Sequence, residues 1–504
     1  MSSAVLERFL VNEADTARLG EDLAQILKPG DVLALHGDLG AGKTTLARSL
    51  IRALADDAGL EVPSPTFTLV QIYEAARLPI HHFDLYRTSG ADELAELGLD
   101  EALERGAALI EWPDRAGDLL PADTLHIELV HEGEGRRVAV TGGDDILNRA
   151  ARSLAMRDFL TDAGWASATR RHLTGDASAR SYETVSLEGA QPRILMNSPP
   201  LVLGPPVKDG KAYAEIAHTA RTVHAFVAVD QALATAGVSV PEIFAQDLDQ
   251  GFLLIENLGS IGIVDSESRP IPDRYVTAAR LLADLHQKPW QSHLPVSGDI
   301  FHDVPPFDRD AMMIEVELLL EWYVKWRTGS PPSDTLRRDF AHEWNMLIDR
   351  LNGAEIGLVQ RDYHSPNIIW RAERNGRDRL GVIDFQDALI GPTAYDVASL
   401  AMDARVTVPR EIEQAVVDAY VADRIRNSDF DETGFREAYA IMAAQRNSKI
   451  LGIFVRLKER DGKPHYLRHL PRIRDYLRRA LEHPALAPLD DLYSRHGLLD
   501  EERM

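Results

Sequence analysis

The sequence predicts an α/β domain followed by a larger α+β domain that is built from two lobes. Three observations lead to this prediction. The 504 residues exceed what one hydrophobic core of ordinary size accommodates. A glycine-rich loop at residues 37–44 lies between an apolar strand and a helix. Two polar motifs, each bounded by apolar runs, lie within residues 358–387 of an otherwise helix-rich region.

The composition argues against several classes of function. A formal net charge of −24 argues against a chain that wraps bare nucleic acid, so any RNA role would be indirect, through a partner. The sequence has no cysteine, which excludes a disulfide framework, a thiolate metal site and a thiol nucleophile. There is no basic start followed by an apolar core, and no run of 18 or more apolar residues. We therefore expect a cytoplasmic protein without a membrane segment.

The first domain is predicted at residues 1–145. Apolar residues recur at helical spacing over residues 14–27 and stop at a Pro-Gly pair, which predicts a helix. A strand at residues 32–35 then leads into the loop GDLGAGKT at residues 37–44, and a second helix follows. This order of strand, glycine loop and helix is that of a Walker A loop, so the domain is predicted to be an α/β P-loop NTPase.

A Walker A loop assigns a role to each of its residues. Backbone amides at Gly37, Gly40 and Gly42 would face phosphate oxygens of ATP. Lys43 would contact the terminal phosphates, and the Thr44 hydroxyl would contact Mg²⁺.

Three further residues complete the predicted P-loop site, which also needs a metal-side carboxylate and a sensor of the terminal phosphate. Thr66 precedes a predicted strand, where its hydroxyl would reach Mg²⁺. Asp84 and Glu111 each follow a predicted strand. Each residue alone is more typical of a solvated loop, but in this order they form a set.

The stretch TGGDD at residues 141–145 predicts the domain boundary, because glycines and acids interrupt the apolar pattern there. The second domain is predicted at residues 146–504, with a small lobe at about 146–260 and a large lobe at about 261–504.

The small lobe contains two predicted nucleotide contacts. A strand, turn and strand over residues 173–187 has Gly175 and Ser178 at its tip, which predicts either a phosphate-covering loop or an ordinary hairpin. A later strand ends at a hinge where backbone groups of Glu256 and Leu258 would bind adenine.

Met196 departs from the usual kinase pattern. It stands where protein kinases have a lysine that pairs with the nucleotide phosphates. The sequence leaves open which basic residue replaces that lysine; the nearest candidates are Arg180, Lys208 and Lys211.

The large lobe carries the two motifs of a kinase catalytic centre. Asp362 and Asn367 lie five residues apart in a loop, and Asp384 follows a short apolar strand. This pattern predicts that Asp362 accepts the proton of the attacking hydroxyl and that Asn367 and Asp384 bind Mg²⁺. We also expect Asp396 to anchor the catalytic loop from beneath and His286 to be a packing residue.

Two helical stretches are open to more than one interpretation. The helix predicted at residues 312–326 contains Trp322 and Tyr323, which either pack in the core or stack against a sugar ring. The basic run at residues 443–481 is either a solvated face or a surface that binds an acidic substrate.

The first domain resembles TsaE, the ATPase subunit of the bacterial machinery that makes threonylcarbamoyladenosine in tRNA. The matching stretches are GDLGAGKTT, SPTFTLV, HFDLYR and EWP. The resemblance implies nucleotide contact by the Walker A residues including Thr45, Mg²⁺ contact by Thr44 and Thr66, and a catalytic or sensing role for Asp84 and Glu111. It also implies that the other subunits of the threonylcarbamoyladenosine synthase complex are partners and that they hold the tRNA.

The second domain resembles AmgK, the anomeric sugar kinase family within the aminoglycoside phosphotransferase superfamily. The matching stretches include GDASAR, ILMNSPP, FLLIENLG, RDYHSPNI and IDFQDALIGPTAYDVASL. The resemblance implies a bilobal protein-kinase-like fold and ATP-dependent phosphorylation of the anomeric hydroxyl of N-acetylmuramate and N-acetylglucosamine. Gln360 stands where many members have histidine.

Three alternatives stay open from the sequence. The kinase acceptor could instead be an aminoglycoside, choline or another small alcohol. The second domain could bind nucleotide as a scaffold without turnover, because it lacks the usual lysine. The first domain could act as an assembly clamp with negligible hydrolysis.

Overall fold

The computed structural model describes residues 5–75, 77–88, 97–173, 180–427 and 429–500. The chain divides into two compact units, Met1–Ser198 with Ile243–Glu256 and Pro199–Glu242 with Asn257–Met504. Gly175 and Ser178 lie outside the described residues. Within the described ranges, no helix is long and apolar enough to cross a membrane.

The strands are, in chain order, Leu6–Leu10 (β1), Val32–His36 (β2), Val70–Tyr73 (β3), Ile80–Asp84 (β4), Ala107–Glu111 (β5), Leu125–Glu132 (β6), Gly135–Thr141 (β7), Thr169–Leu173 (β8), Ser181–Ser186 (β9), Arg193–Asn197 (β10), Pro206–Lys208 (β11), Lys211–Ala212 (β12), Ile243–Asp247 (β13), Phe252–Glu256 (β14), His293–Ser297 (β15), Ile300–Asp303 (β16), Ile356–Val359 (β17), Ile368–Trp370 (β18), Leu380–Val382 (β19) and Leu389–Pro392 (β20). The helices are Glu13–Ala24 (α1), Lys43–Ala55 (α2), Leu99–Arg105 (α3), Asp144–Asp162 (α4), Tyr213–Ile216 (α5), His224–Thr235 (α6), Pro272–Leu285 (α7), Arg309–Leu318 (α8), Lys325–Thr328 (α9), Asp334–Arg350 (α10), Ala394–Ala401 (α11), Arg410–Asn427 (α12), Glu432–Glu459 (α13), Leu470–Leu481 (α14) and Ala487–Arg495 (α15), with a π-helix at Leu319–Val324.

The first unit begins with a seven-stranded mixed sheet of order β1-β7-β6-β2-β5-β4-β3. Strands β6, β2, β5 and β4 run parallel, so their carboxyl ends meet at one edge of the sheet. The predicted strand at residues 32–35 is confirmed as β2, and the helix that follows the glycine loop is α2. Helix α1 ends at Ala24, earlier than the predicted residue 27, because Asp31 accepts the Lys28 N–H in a turn that leads into β2.

A five-stranded antiparallel sheet of order β13-β14-β10-β9-β8 completes the first unit. Helix α4 belongs to the cores of both sheets. Its first half places Ile146 and Ala150 in the core of the seven-stranded sheet, while Phe159 and Leu160 pack in the core of the five-stranded sheet. The two sheets are therefore joined by one continuous helix.

Arg170 on β8 forms a buried ion-pair cluster between the two sheets of this unit. Its guanidinium donates to Glu183 on β9 at 2.7 and 2.9 Å and to Asp22 on α1 at 2.8 Å. Arg157 on α4 also donates to Asp22, at 2.8 Å. Both carboxylates are buried with Arg170, so each charge in the cluster depends on its partners.

We expect Arg170→Met to lower the free energy of unfolding by about 3–5 kcal/mol, because it leaves the buried Glu183 carboxylate without its ion pair. Urea unfolding of the full chain measures this change. Arg8→Met is the control, since it removes an exposed ion pair to Asp158 and should cost less than about 1 kcal/mol. Equal losses in the two variants would contradict a role for the buried cluster.

The second unit is mainly helical. Short strand pairs β17–β20 and β18–β19 hold the loop that carries the predicted catalytic residues. The long helix α13 packs against α8, α11 and α14. Tyr323 in the π-helix is fully buried, which favours the core interpretation of that aromatic residue over sugar stacking.

Asp230 is a buried carboxyl group in helix α6 of the second unit. It is 5% exposed, and its Oδ1 atom has no hydrogen-bond partner within the described part of the chain. Burial raises the pKa of this group from 3.8 to about 8. The folded chain therefore keeps a proton that the unfolded chain releases, and stability falls as pH rises through this range.

We expect Asp230→Asn to be more stable than the wild type near pH 8 and to lose that advantage towards pH 4, because the amide carries no titrating proton. Thermal midpoints measured across this pH range test the prediction. Asp249→Asn, at an exposed position, is the control and should leave the pH dependence unchanged. An unchanged pH profile in Asp230→Asn would contradict the prediction.

Candidate active sites

The Walker A loop follows β2 and leads into α2. Gly42 immediately precedes α2 with φ of 107°, a conformation that favours glycine. Gly37 has φ of 133°, and a Cβ atom there would lie 2.4 Å from the Leu129 carbonyl oxygen. Lys43 Nζ donates to the carbonyl oxygens of Gly37 at 2.6 Å and Asp38 at 2.9 Å. Lys43 is thus held across the loop, as a phosphate-binding lysine requires.

A cleft of about 420 Å³ opens beside this loop. The predicted residues that line it are Gly40, Gly42, Lys43, Thr44, Thr45, Thr66, Asp84 and Glu111. Trp112 also lines the cleft, and Lys43 Nζ lies 3.8 Å from the centre of its indole ring. The structure therefore brings together these predicted residues, whereas Gly37 is not part of the cleft lining; the individual roles stay predictions.

Three side-chain hydroxyl groups lie beside two carboxylates in the cleft. Thr44 Oγ1 lies 3.2 Å from both carboxylate oxygens of Glu111. Thr66 Oγ1 donates to Asp84 Oδ2 at 2.8 Å, and Ser64 Oγ donates to the same oxygen at 2.6 Å. Hydroxyl and carboxylate oxygens are the ligands that Mg²⁺ prefers, so this donor set fits the ion.

Lys43 is electrostatically coupled to both carboxylates. Burial lowers the pKa of its ammonium group, although the negative charges of Glu111 and Asp84 act in the opposite direction. His82 on β4 also contacts Glu111, and its Nε2 atom lies 3.0 Å from Glu111 Oε1. The positive charge of Lys43 is therefore partly offset by the nearby carboxylates in the absence of a bound phosphate.

The sequence did not single out Glu13, Ser64, Tyr86 or Arg136, all of which line the cleft. Arg136 lies on β7, and its Nε atom has no hydrogen-bond partner among residues that the structure describes. Its side chain lies against Gly42. A lone arginine on a hairpin carries no sequence signal, because only the sheet order places β7 beside the loop.

The predicted catalytic loop lies between β17 and β18. Asn367 Nδ2 donates to the Asp362 carbonyl oxygen at 2.9 Å and lies 3.3 Å from Asp384 Oδ2. Pairing of β18 with β19 brings Asn367 and Asp384 together, and Gln386 Nε2 donates to Asp384 Oδ1 at 2.9 Å. One amide and one carboxylate thus meet beside Asp362, a donor set that fits Mg²⁺ in a kinase.

The Asp362 carboxylate is negatively charged and partly exposed. Its side chain is 46% exposed, which leaves it accessible to an acceptor hydroxyl. Burial alone would raise the pKa of this carboxyl, but His364, whose Nε2 lies 3.8 Å from Asp362 Oδ1, and the charges of Lys449 and Arg446 hold the pKa below its usual range. Asp362 is therefore ionised at neutral pH.

Two expectations about the loop's support are confirmed. Asp396 on α11 accepts the backbone N–H groups of Gln360 at 2.7 Å and Arg361 at 3.0 Å, so it anchors the loop from beneath. His286 is buried, with its Nδ1 3.0 Å from the Tyr420 hydroxyl, as expected of a packing residue.

A buried ion-pair network beside Asp362 was missed. Glu315 on α8 is fully buried and accepts hydrogen bonds from Arg361, Lys449 at 2.7 Å and Gln445 at 2.9 Å. Lys449 belongs to the basic run for which a solvated face was one interpretation. That interpretation is wrong for this residue, because the Lys449 side chain is only 13% exposed and forms an ion pair with the buried Glu315.

The small-lobe assignments are only partly resolved. Met196 is fully buried on β10, and Glu256 ends β14. Leu258 lies against Gly381 of β19. Lys208 Nζ lies 3.9 Å from Glu317. Adenine binding at Glu256 and Leu258, and the replacement for the usual kinase lysine, stay predictions.

Comparison with known families accounts for both sites. The model of the threonylcarbamoyl adenosine biosynthesis protein TsaE matches residues 10–139, and that of the phosphotransferase enzyme family matches residues 169–436. An N-acetylmuramate/N-acetylglucosamine kinase of Caulobacter vibrioides is 32% identical over 364 residues, which are 70% of this chain and 98% of the relative. The chain belongs to the TsaE and phosphotransferase enzyme families.

Two further relatives support the same division. A Pseudomonas putida kinase of the same name is 31% identical over 352 residues, or 67% of this chain and 92% of the relative. A Rickettsia felis TsaE is 40% identical over 130 residues, or 26% of this chain and 75% of the relative. The predicted fusion of an α/β P-loop NTPase domain with an α+β bilobal phosphotransferase domain is confirmed. The protein is bifunctional, and both of its families use ATP.

Proposed function

We propose that the phosphotransferase domain transfers the terminal phosphate of ATP to the anomeric hydroxyl of N-acetylmuramate and N-acetylglucosamine, a step of peptidoglycan recycling. The observation that carries this proposal is the ionised Asp362 carboxylate beside Asn367 and Asp384. Relatives with 31–32% identity along most of their length are named as kinases of these two sugars.

Each residue of the site would have a different role in phosphoryl transfer. Asp362 accepts the proton as the sugar hydroxyl attacks the terminal phosphate. Asn367 and Asp384 would hold Mg²⁺, which offsets the negative charge on the phosphates when it is bound. Asp396 keeps the loop in place through two backbone hydrogen bonds, so the base stays aligned with the acceptor.

For the first domain we propose an ATPase that supports threonylcarbamoyladenosine formation in tRNA. Lys43 would bind the terminal phosphates, Thr44 and Thr66 would hold Mg²⁺, and Asp84 and Glu111 would position or sense the reacting group. The partners would be the other subunits of the synthase complex, and tRNA would be met only through them, in keeping with the net charge of −24.

An acceptor panel tests the kinase proposal. The full chain is incubated with radiolabelled ATP and, separately, N-acetylmuramate, N-acetylglucosamine, an aminoglycoside and choline. We expect acid-labile sugar phosphates from the two amino sugars, because an anomeric phosphate hydrolyses readily in acid. Label on the aminoglycoside or choline alone would replace the proposed acceptor. Bound nucleotide with no product from any acceptor would favour the scaffold alternative.

ATPase measurements test the proposal for the first domain. Rates are compared for the full chain alone and with the other synthase subunits added. We expect the other subunits to raise the ATPase rate of the wild type and to leave the rate of a Lys43 variant unchanged. Hydrolysis that stays negligible in the assembled complex would favour the assembly clamp.

A further inference from the structure

Arg446 on α13 is a buried cation, and two of its nitrogen atoms lack a hydrogen-bond partner among the described residues. It is 3% exposed, and the two atoms are Nε and Nη1. Burying a guanidinium without acceptors is costly, so such groups are usually paired. A residue of this kind inside an enzyme therefore points to an acceptor that arrives with the substrate.

A neighbour of Arg446 one helical turn away, Lys449, belongs to the ion-pair network beside Asp362. Lys449 lies three residues further along α13, on the same face of the helix. Its Nζ donates to Glu315 at 2.7 Å and lies 3.5 Å from the Tyr395 hydroxyl. Glu315 in turn accepts a hydrogen bond from Arg361, the residue immediately before the catalytic base Asp362.

The other cations of this cluster already have partners. Arg361 and Lys449 share the Glu315 carboxylate, and Arg361 also donates to the Ala217 carbonyl oxygen. The positive charge of Arg446 contributes to holding the pKa of Asp362 low, which agrees with a place near the reacting hydroxyl. Arg446 is thus the cation of the cluster whose donors are available to a ligand.

We propose that Arg446 is a specificity residue that binds a carboxylate on the acceptor sugar. A guanidinium matches a carboxylate with two parallel hydrogen bonds, which a lysine cannot do. This inference rests on the proposed function, because N-acetylmuramate differs from N-acetylglucosamine by a lactyl ether that bears a carboxylate. The residue would then favour the acidic sugar over the neutral one. His364 and Lys449 also lower the pKa of Asp362, so the charge on the base does not depend on Arg446 alone.

The two sugars supply an internal control for the test. We expect Arg446→Met to lower kcat/KM for N-acetylmuramate roughly 10- to 100-fold, the loss typical of one charged hydrogen-bonding partner, and to change the value for N-acetylglucosamine less than about threefold. The loss should appear mainly in KM. Arg446→Lys, which keeps the charge without the paired donors, should give a smaller loss, again confined to N-acetylmuramate.

Several outcomes would overturn the inference. An equal loss for both sugars would mean that Arg446 acts on the phosphoryl group or on the fold, because those roles do not distinguish the acceptors. No loss for either sugar would also exclude it. Retained phosphorylation of N-acetylglucosamine shows that a variant is folded, and Arg446→Lys provides the test if the methionine variant does not fold. Lys458→Met, in the last turn of the same helix, is the matched control, because Lys458 donates to the exposed Glu459 and lies over the Trp326 ring.

The same assays distinguish a wrong acceptor assignment from a wrong role for Arg446. If the wild-type chain phosphorylates neither sugar, the acceptor assignment itself is wrong. If the wild type phosphorylates both and the Arg446 variants keep the same preference, only the role of Arg446 is wrong.

Discussion

Asp362→Asn is expected to lower sugar phosphorylation roughly 100- to 10,000-fold, the usual contribution of a positioned general base. Asparagine has almost the same shape, and the Asp362 backbone carbonyl that accepts the Asn367 hydrogen bond is unchanged. The side-chain amide cannot take the proton of the sugar hydroxyl. The loss should therefore lie in kcat, with KM for both ATP and sugar close to the wild-type values.

Steady-state kinetics of the kinase reaction and of ATP hydrolysis, measured on the same preparation, check this prediction. ATP hydrolysis by the TsaE domain should continue at the wild-type rate in Asp362→Asn. Simultaneous loss of both activities in a folded variant would contradict two independent sites. Undiminished sugar phosphorylation would show that another group accepts the proton.

Lys43→Ala is expected to have the reciprocal effect. It removes the ammonium group that spans the Walker A loop, and ATP hydrolysis by the TsaE domain should fall roughly 100-fold or more, as when one fixed donor to a reacting group is lost. Nucleotide affinity at that site should also fall, because Lys43 lines the cleft. Sugar phosphorylation should stay at the wild-type rate.

Hydrolysis with the synthase partners present and binding of a fluorescent nucleotide are the two measurements. Arg48→Ala is a suitable control, since that residue lies on the same helix α2 and donates to the Val62 carbonyl oxygen outside the Walker A loop. It should leave hydrolysis nearly unchanged. A kinase rate that falls in Lys43→Ala but not in Arg48→Ala would indicate that the two activities are coupled.

Both nucleotide-associated motifs could be predicted because each depends on short stretches of sequence. The Walker A loop needs only β2, its glycines and the start of α2. The link between Asn367 and Asp384 needs only the β18–β19 pair, which joins segments that are close in sequence. Local order along the chain determines such sites, so reading residue types at fixed spacing is sufficient to find them.

The residues that were missed depend on contacts between distant segments. Glu315 and Lys449 are 134 positions apart, and no local pattern relates them. Arg136 reaches the P-loop cleft only because β7 and β6 lie on one side of β2. For the basic run, the sequence left open a solvated face or a surface for an acidic substrate, whereas the fold buries Arg446 on α13. Tertiary structure decided all three cases.

Helix α4 has a practical consequence for dividing the protein. A truncation placed at the glycine pair before it would strip the TsaE domain of Ile146 and Ala150, which fill its core. A cut inside the helix would leave apolar side chains in water on both fragments, and such patches promote aggregation. The separated halves would therefore express well only if each kept its own copy of the helix. An intact gene product, by contrast, always supplies the ATPase and the kinase in equal numbers.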